Sequence, residues 1–218
     1  MRPLPLLRSA WLLLLLVLVA PLSARSSQPL LHPAALGDWE FVCPEKTAIE
    51  SVVQFKDDGE ILIAGQPVGY LQTRETHRNY RLHVEWRWTD KPGNGGILLH
   101  IASGAIDRNL WPLSLQVQTK QGRAGDLLPM AGARFAEPLT SPPDARTPQL
   151  DRRAESSEKP PGGWNVCDIT CEDGTIEVVI NGVTQNRVTR CEPAAGHIGF
   201  QLEGVPYALR NVTLAPLP

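Results

Sequence analysis

The stretch Tyr80-Arg81-Leu82-His83-Val84-Glu85-Trp86-Arg87-Trp88 decides the fold class. Tyr80, Leu82, Val84, Trp86 and Trp88 alternate with Arg81, His83, Glu85 and Arg87. A period of two puts the first set on one face of a strand and the second set on the other. The pattern recurs downstream. Ile97, Leu99 and Ile101 oppose Leu98 and His100. Leu115 and Val117 oppose Ser114, Gln116 and Gln118, and Ile198, Phe200 and Leu202 oppose His197, Gly199, Gln201 and Glu203.

Between these runs lie shorter apolar stretches at 39–43, 50–55, 60–64, 69–73, 164–171, 175–180 and 207–214. Asp57-Asp58-Gly59, Asp173-Gly174 and Asn181-Gly182 punctuate them as hairpin turns. Pro (20) and Gly (18) are spread along the 218 residues. No apolar pattern supports a helix longer than about two turns. Roughly ten short strands with turn signals between them predict an all-β fold, an antiparallel β-sandwich or jelly roll. The expected organisation is a leader at 25–36 and a single domain over 37–218. A Pro-, Arg- and Ser-rich segment at about 132–163 has no period, and so long a loop in a compact domain is functional or mobile.

The N-terminus has the form of an export signal. Arg2 and Arg8 precede an unbroken apolar run from Trp11 to Ala20, Pro21 breaks it, and Leu22-Ser23-Ala24 supplies small residues for cleavage. Residues 1–24 are therefore expected to be removed, leaving no membrane span and a secreted or periplasmic protein. The net charge of −2 provides no cationic face for nucleic acid, and no phosphate-binding glycine loop is present. Nothing in the sequence implies a protein partner. Cys43, Cys167, Cys171 and Cys191 all lie beyond the signal and, in an oxidising compartment, are candidates for two disulfides or for buried thiols. Zinc is the weaker reading, since Cys167 and Cys171 sit in a strand-like run far from Cys43.

The polar strand faces share a composition. Across four strands they carry His83, Glu85, Arg87, His100, Gln116, Gln118, Gln201 and Glu203, with no Lys. A solvated face needs no such set, but a carbohydrate site does. Amides and carboxylates exchange hydrogen bonds with hydroxyls, and an aromatic ring such as that of Trp111 packs on the C–H face of a sugar. If the strands were neighbours in one sheet, these residues would form one platform.

Several segments, in this order, resemble the 3-keto-disaccharide hydrolase domain, formerly a domain of unknown function. They include Gly69-Tyr70-Leu71-Gln72-Thr73, the run Leu82 to Trp88, Asn94-Gly95-Gly96-Ile97-Leu98-Leu99-His100 and Trp111-Pro112. Further matches are Ser114 to Gln118, Ala124-Gly125-Asp126, Gly163-Trp164-Asn165, Val179 to Val183, Gly196 to Gly204 and Arg210-Asn211-Val212. The resemblance spans about residues 37–217. It implies a concanavalin-like jelly roll, bacterial export, and hydrolysis or elimination of 3-keto-glycosides.

A ketone at C3 acidifies the C2 proton, so such a site needs a base, an electrophile near the C3 oxygen and an acid for the leaving group. Glu85 is the first candidate for the base or for a metal ligand, His100 for acid/base work, Arg87 for stabilising negative charge and Glu203 for a second carboxylate. Gln116, Gln118, Gln201, Trp111, Asn94 and Asp126 are the expected substrate binders. The residues specify no cofactor, and the chemistry admits a divalent metal ion as Lewis acid. The family pattern has Glu where this chain has Gln116, which leaves open a non-catalytic carbohydrate-binding module.

Overall fold

The structure, a computed structural model, describes residues 26–218; the proposed signal lies outside the described residues. The described residues form fourteen strands: Gln28–Pro29 (β1), Trp39–Val42 (β2), Val53–Phe55 (β3), Ile61–Ile63 (β4), Gly69–Thr73 (β5), Tyr80–Trp88 (β6), Gly96–Asp107 (β7), Trp111–Gln118 (β8), Leu127–Met130 (β9), Asn165–Glu172 (β10), Thr175–Ile180 (β11), Val183–Val188 (β12), His197–Leu202 (β13) and Tyr207–Pro216 (β14). Pairing is antiparallel throughout. One sheet runs β12-β11-β10-β6-β14-β4-β3, with β1 on β14, and the other runs β2-β5-β13-β7-β8-β9. Among the described residues the helical pieces are short 3-10 turns, at Pro33–Asp38 and Ile49–Ser51, and no helix is long and apolar enough to cross a membrane.

The core lies between the two sheets. β6 supplies Tyr80, Leu82, Val84, Trp86 and Trp88, all buried as the alternation requires. The facing sheet supplies Ile97, Leu99, Leu115, Val117, Phe200 and Leu202. Phe200 stacks on Trp39, ring centroids 5.6 Å apart, and Trp39 Nε1 donates to the Leu30 carbonyl at 3.1 Å. The expected leader is therefore packed onto the domain, because Leu31 enters the core and Gln28–Pro29 extends the first sheet. The hairpins close where positive φ is available, at Asp173-Gly174 (47° and 72°) and Asn181-Gly182 (50° and 81°). Both central residues are left-handed, as a twist-matched two-residue turn demands.

One expectation needs correcting, and the cysteines take one of their two expected forms. The alternation of β7 breaks at His100, whose φ is +55°. The β7–β8 register shifts between Leu99 and Ala102. That bulge adds one residue and reverses the faces. Ile101 therefore joins Leu98 on the outer side, and His100 turns inward against the ring of Tyr80. The cysteines are all free: Cys167, Cys171 and Cys191 are buried and Cys43 is half-buried, so the chain carries no disulfide among them. Burial pushes the Cys171 and Cys191 thiols up to about 12, which leaves them protonated and unreactive.

The segment at 132–163 is threaded back onto the sandwich. Bridges join Leu127 to Leu150 and Arg134 to Glu192. Ala133 and Leu150 are buried.

Two outcomes follow from this packing. Phe200→Ala is expected to cost about 3–5 kcal/mol in chemical denaturation, the usual penalty for emptying a close-packed aromatic site. A thiol-reactive dye is expected to label Cys43 first in the native protein and all four cysteines in denaturant, with the melting temperature unchanged by reductant.

Candidate functional site

The outward face of the six-stranded sheet is not a plain solvated surface. Tyr70, Leu98, Ile101, Trp111, Leu128 and Met130 form an apolar cluster there, separate from the main core. Beside it opens a hollow of about 230 Å³. Gln116 and Gln118 of β8 and Gln201 of β13 line it, since their strand neighbours face the core. Gly96 sits opposite Gln118 in register. A Cβ on Gly96 would meet the Gln116 side chain at 2.6 Å, so the absence of one lets that amide lie across the strand. Asn94, just before β7, and Glu203, just after β13, face each other across the hollow's end. Asn94 Nδ2 donates to Glu203 Oε2 at 2.7 Å.

Hydrogen bonds fix the amides. Gln118 Oε1 accepts from the backbone N–H of Thr119 and of Lys120, each at 3.1 Å, and from Gln116 Nε2 at 3.4 Å. Gln201 Oε1 is buried and has no partner in the protein, which marks it as waiting for a donor. Trp111 lines the hollow and leans on Tyr70, centroids 6.5 Å apart.

Charge in the hollow is uneven. Arg108, Lys120 and Arg123 line it against a single lining carboxylate, Glu203. Burial raises the Glu203 carboxyl above its ordinary range, while Arg108, Asn94 and Lys120 pull the other way. The long loop contributes Thr147 and Gln149, and Gln149 Nε2 is held by Asp151 Oδ1 at 2.7 Å.

Of the expected site residues, Glu203, Asn94, Gln116, Gln118, Gln201 and Trp111 come together here. Asp126 does not line the hollow. It is buried behind the β8–β9 turn, accepting from the Arg152 backbone N–H at 2.8 Å and lying 3.5 Å from Arg123, which it positions. Glu85 and Arg87 lie on the other sheet, on β6's outward face, so the expected single platform does not form. Burial pushes the Glu85 carboxyl up, but Asn211 at 2.6 Å and Arg210 at 2.8 Å outweigh it and hold it below the usual carboxylate range. Arg87 pairs with Glu60 at 2.6 Å and stacks on Trp164, 4.8 Å from the ring centre. These two residues are committed to structure. His100, 1% exposed, donates from Nδ1 to the Pro193 carbonyl at 3.1 Å, and burial lowers its pKa to about 4. It is neutral and shut away from the hollow.

Arg108, Lys120, Arg123, Thr147 and Gln149 escaped the sequence reading. They sit on turns and on the long loop, where no period reveals a shared direction. For a metal ion the donors do not fit: among the described residues no group of three or more His, Cys, Asp or Glu is arranged to hold one. The groove instead offers hydrogen-bonding amides, one carboxylate, three cations and an aromatic edge.

The fold is an antiparallel jelly-roll sandwich with a polar groove on its outer face. The chain matches the 3-keto-alpha-glucoside-1,2-lyase-like domain over residues 29–215 and belongs to that family. Among solved structures it is similar to a protein of Parabacteroides distasonis provisionally termed a glycosyl hydrolase, with 17% identity and a TM-score of 0.63, covering 88% of this chain and all of that one. It is also similar to the β-glucanase of Bacillus licheniformis (8% identity, TM-score 0.55, 90% and 100% covered). A third similarity is to the carbohydrate-binding module CBM66 of Bacillus subtilis (8%, 0.54, 82% and 95%). At these identities the likeness is one of fold. No match to a curated protein was found.

The raised Glu203 pKa has a stability consequence. A carboxyl whose folded pKa exceeds its unfolded value binds more protons when folded, so the fold loses stability as pH rises through that window. Glu203→Gln keeps the acceptor for Asn94 and removes the charge. Its melting temperature is expected to exceed that of the parent at pH 7 and to match it below about pH 4, where both states are protonated.

Proposed function

We propose that this chain is an exported enzyme that cleaves 3-keto-glycosides by taking the C2 proton and expelling the C1 substituent. Glu203 carries the reading. It is the lining carboxylate of the hollow, held by Asn94 and faced by Arg108 and Lys120. Hydrolysis by paired carboxylates needs two of them flanking one bond. Elimination needs one base and a stabilised enolate, which fits a site with one carboxylate and several cations.

In the first step Glu203 accepts the C2 proton. The electron pair of that C–H bond moves into the ring and negative charge gathers on the C3 oxygen, beside Arg108 or Lys120. That charge then returns, C1–C2 becomes a double bond, and the C1–oxygen bond breaks. The proton that Glu203 has gained is available to the departing oxygen. Addition of water across C1–C2 then completes a net hydrolysis. Gln116, Gln118, Gln149 and Gln201 suit the remaining hydroxyls, and Trp111 suits a ring face. The amide at 116 favours a second reading, a carbohydrate-binding module without chemistry, because it removes a titratable group from the floor.

The test is turnover of a chromogenic 3-keto-glucoside. The parent is expected to turn it over, with a rate rising with pH through a pKa above the usual carboxylate range. Glu203→Gln is expected to lower kcat by at least about 100-fold with binding retained, whereas Glu85→Gln stays within a few-fold of the parent. Sugar binding by calorimetry without turnover in the parent would establish the binding module instead.

A further inference from the structure

The outward face of the six-stranded sheet holds a second hollow, of about 210 Å³, with a different chemistry. Its walls are Tyr70, Ile101, Ala102, Ala105, Ile106 and Pro112. Gln72, Ser103 and His197 add polar atoms, and no Asp, Glu, Lys or Arg lines it. Gln72 Nε2 donates to Glu40, while Gln72 Oε1 and His197 Nδ1 are buried and have no partner in the protein.

The two hollows lie side by side on this face. Tyr70 of the second stands opposite Gln201 of the first in the β5–β13 register. Trp111 of the first is followed in the chain by Pro112 of the second. One apolar cluster runs beneath both, with Leu128 and Met130 on one side and Tyr70 and Ile101 on the other. The outward twist of β7 after its bulge builds the far wall, and there Ile106 stands 63% exposed. An exposed isoleucine at the lip of an uncharged hollow is stabilised when an apolar ligand covers it.

The geometry points to a leaving-group subsite: the second hollow takes an aromatic or otherwise apolar aglycone while the first holds the sugar. This rests on the reading of the first hollow as the sugar site. The ligand class is thus a glycoside with a polar head and an aromatic alcohol, whose ring lies against Ile101, Ile106 and Pro112 and whose polar substituent can meet Gln72 Oε1 or His197 Nδ1.

The experiment compares 4-nitrophenyl and methyl 3-keto-glucosides on the parent, Ile106→Glu, Ala105→Glu and Ile106→Leu, by kinetics and by calorimetry. The expected result is a KM at least about tenfold lower for the aryl glycoside, lost in both glutamate variants and kept in Ile106→Leu, with the methyl glycoside unaffected. Equal KM and affinity for the two glycosides in the parent overturns the subsite and leaves the sugar site standing. An aryl preference unchanged in the glutamate variants also overturns it. If the parent neither binds nor turns over either glycoside, the subsite falls together with the sugar site. Melting curves identify any variant that fails to fold, and the second glutamate position then supplies the answer.

Discussion

Contact between the inner faces of the two sheets governs everything else in this molecule. Val84 and Trp86 of β6 meet Ile97 and Phe200 of the facing sheet around a small enclosed gap. Once those side chains are committed inward, the pleat leaves no choice about what points out. On β8 that commits Ser114, Gln116 and Gln118 to the far side, and on β13 it commits Gln201. The groove is the reverse side of the core. Its floor is as rigid as the packing beneath it, which is what a site needs if its hydrogen bonds are to be in place before the ligand arrives.

Much of this was legible in the residues. The alternation in β6 and the turn pairs at 173–174 and 181–182 depend on local chemistry, and both appear where the sequence puts them. What local pattern does not contain is which strand joins which sheet. Glu85 and Gln116 sit in runs of the same period, yet they end on opposite outer surfaces of the sandwich. The bulge at His100 was equally hidden, since a left-handed histidine has no signature in a period-two count. One inserted residue moved Ile101 to the outside and His100 to the inside. The cations escaped for a third reason. Arg108 and Lys120 follow strands in loops, and their convergence is a product of tertiary folding.

The two polar faces also differ in how their charges are spent. On β6's outer surface, His83 meets Asp168, Glu85 meets Arg210 and Asn211, and Arg87 meets Glu60. Both guanidinium groups pack on the Trp164 ring, Arg210 at 4.2 Å from its centre. His83, Glu85 and Arg87 each have an internal partner there, while Arg81 stays exposed and Arg87 keeps one unpartnered nitrogen, Nε. In the groove, Gln201 keeps a bare oxygen and Asn94 a bare Oδ1. The groove's spare capacity sits on amide oxygens that can accept from hydroxyls, whereas the opposite face spends its carboxylates on internal partners.

The fixed amide of Gln118 gives the groove floor a built-in direction. With its oxygen tied to two backbone N–H groups, its NH₂ must be the end left over, and the Gln116 amide, pointing its own NH₂ at that oxygen, presents oxygen outward. The floor therefore alternates giver and taker along β8, like a keyed slot. A carboxylate at 116 would bring a second negative oxygen to the Gln118 carbonyl and strip the key of its polarity unless it carried a proton. Position 116 is thus wired to the strand's exit turn, and a drift in its identity would be felt first in the path of the backbone toward Lys120.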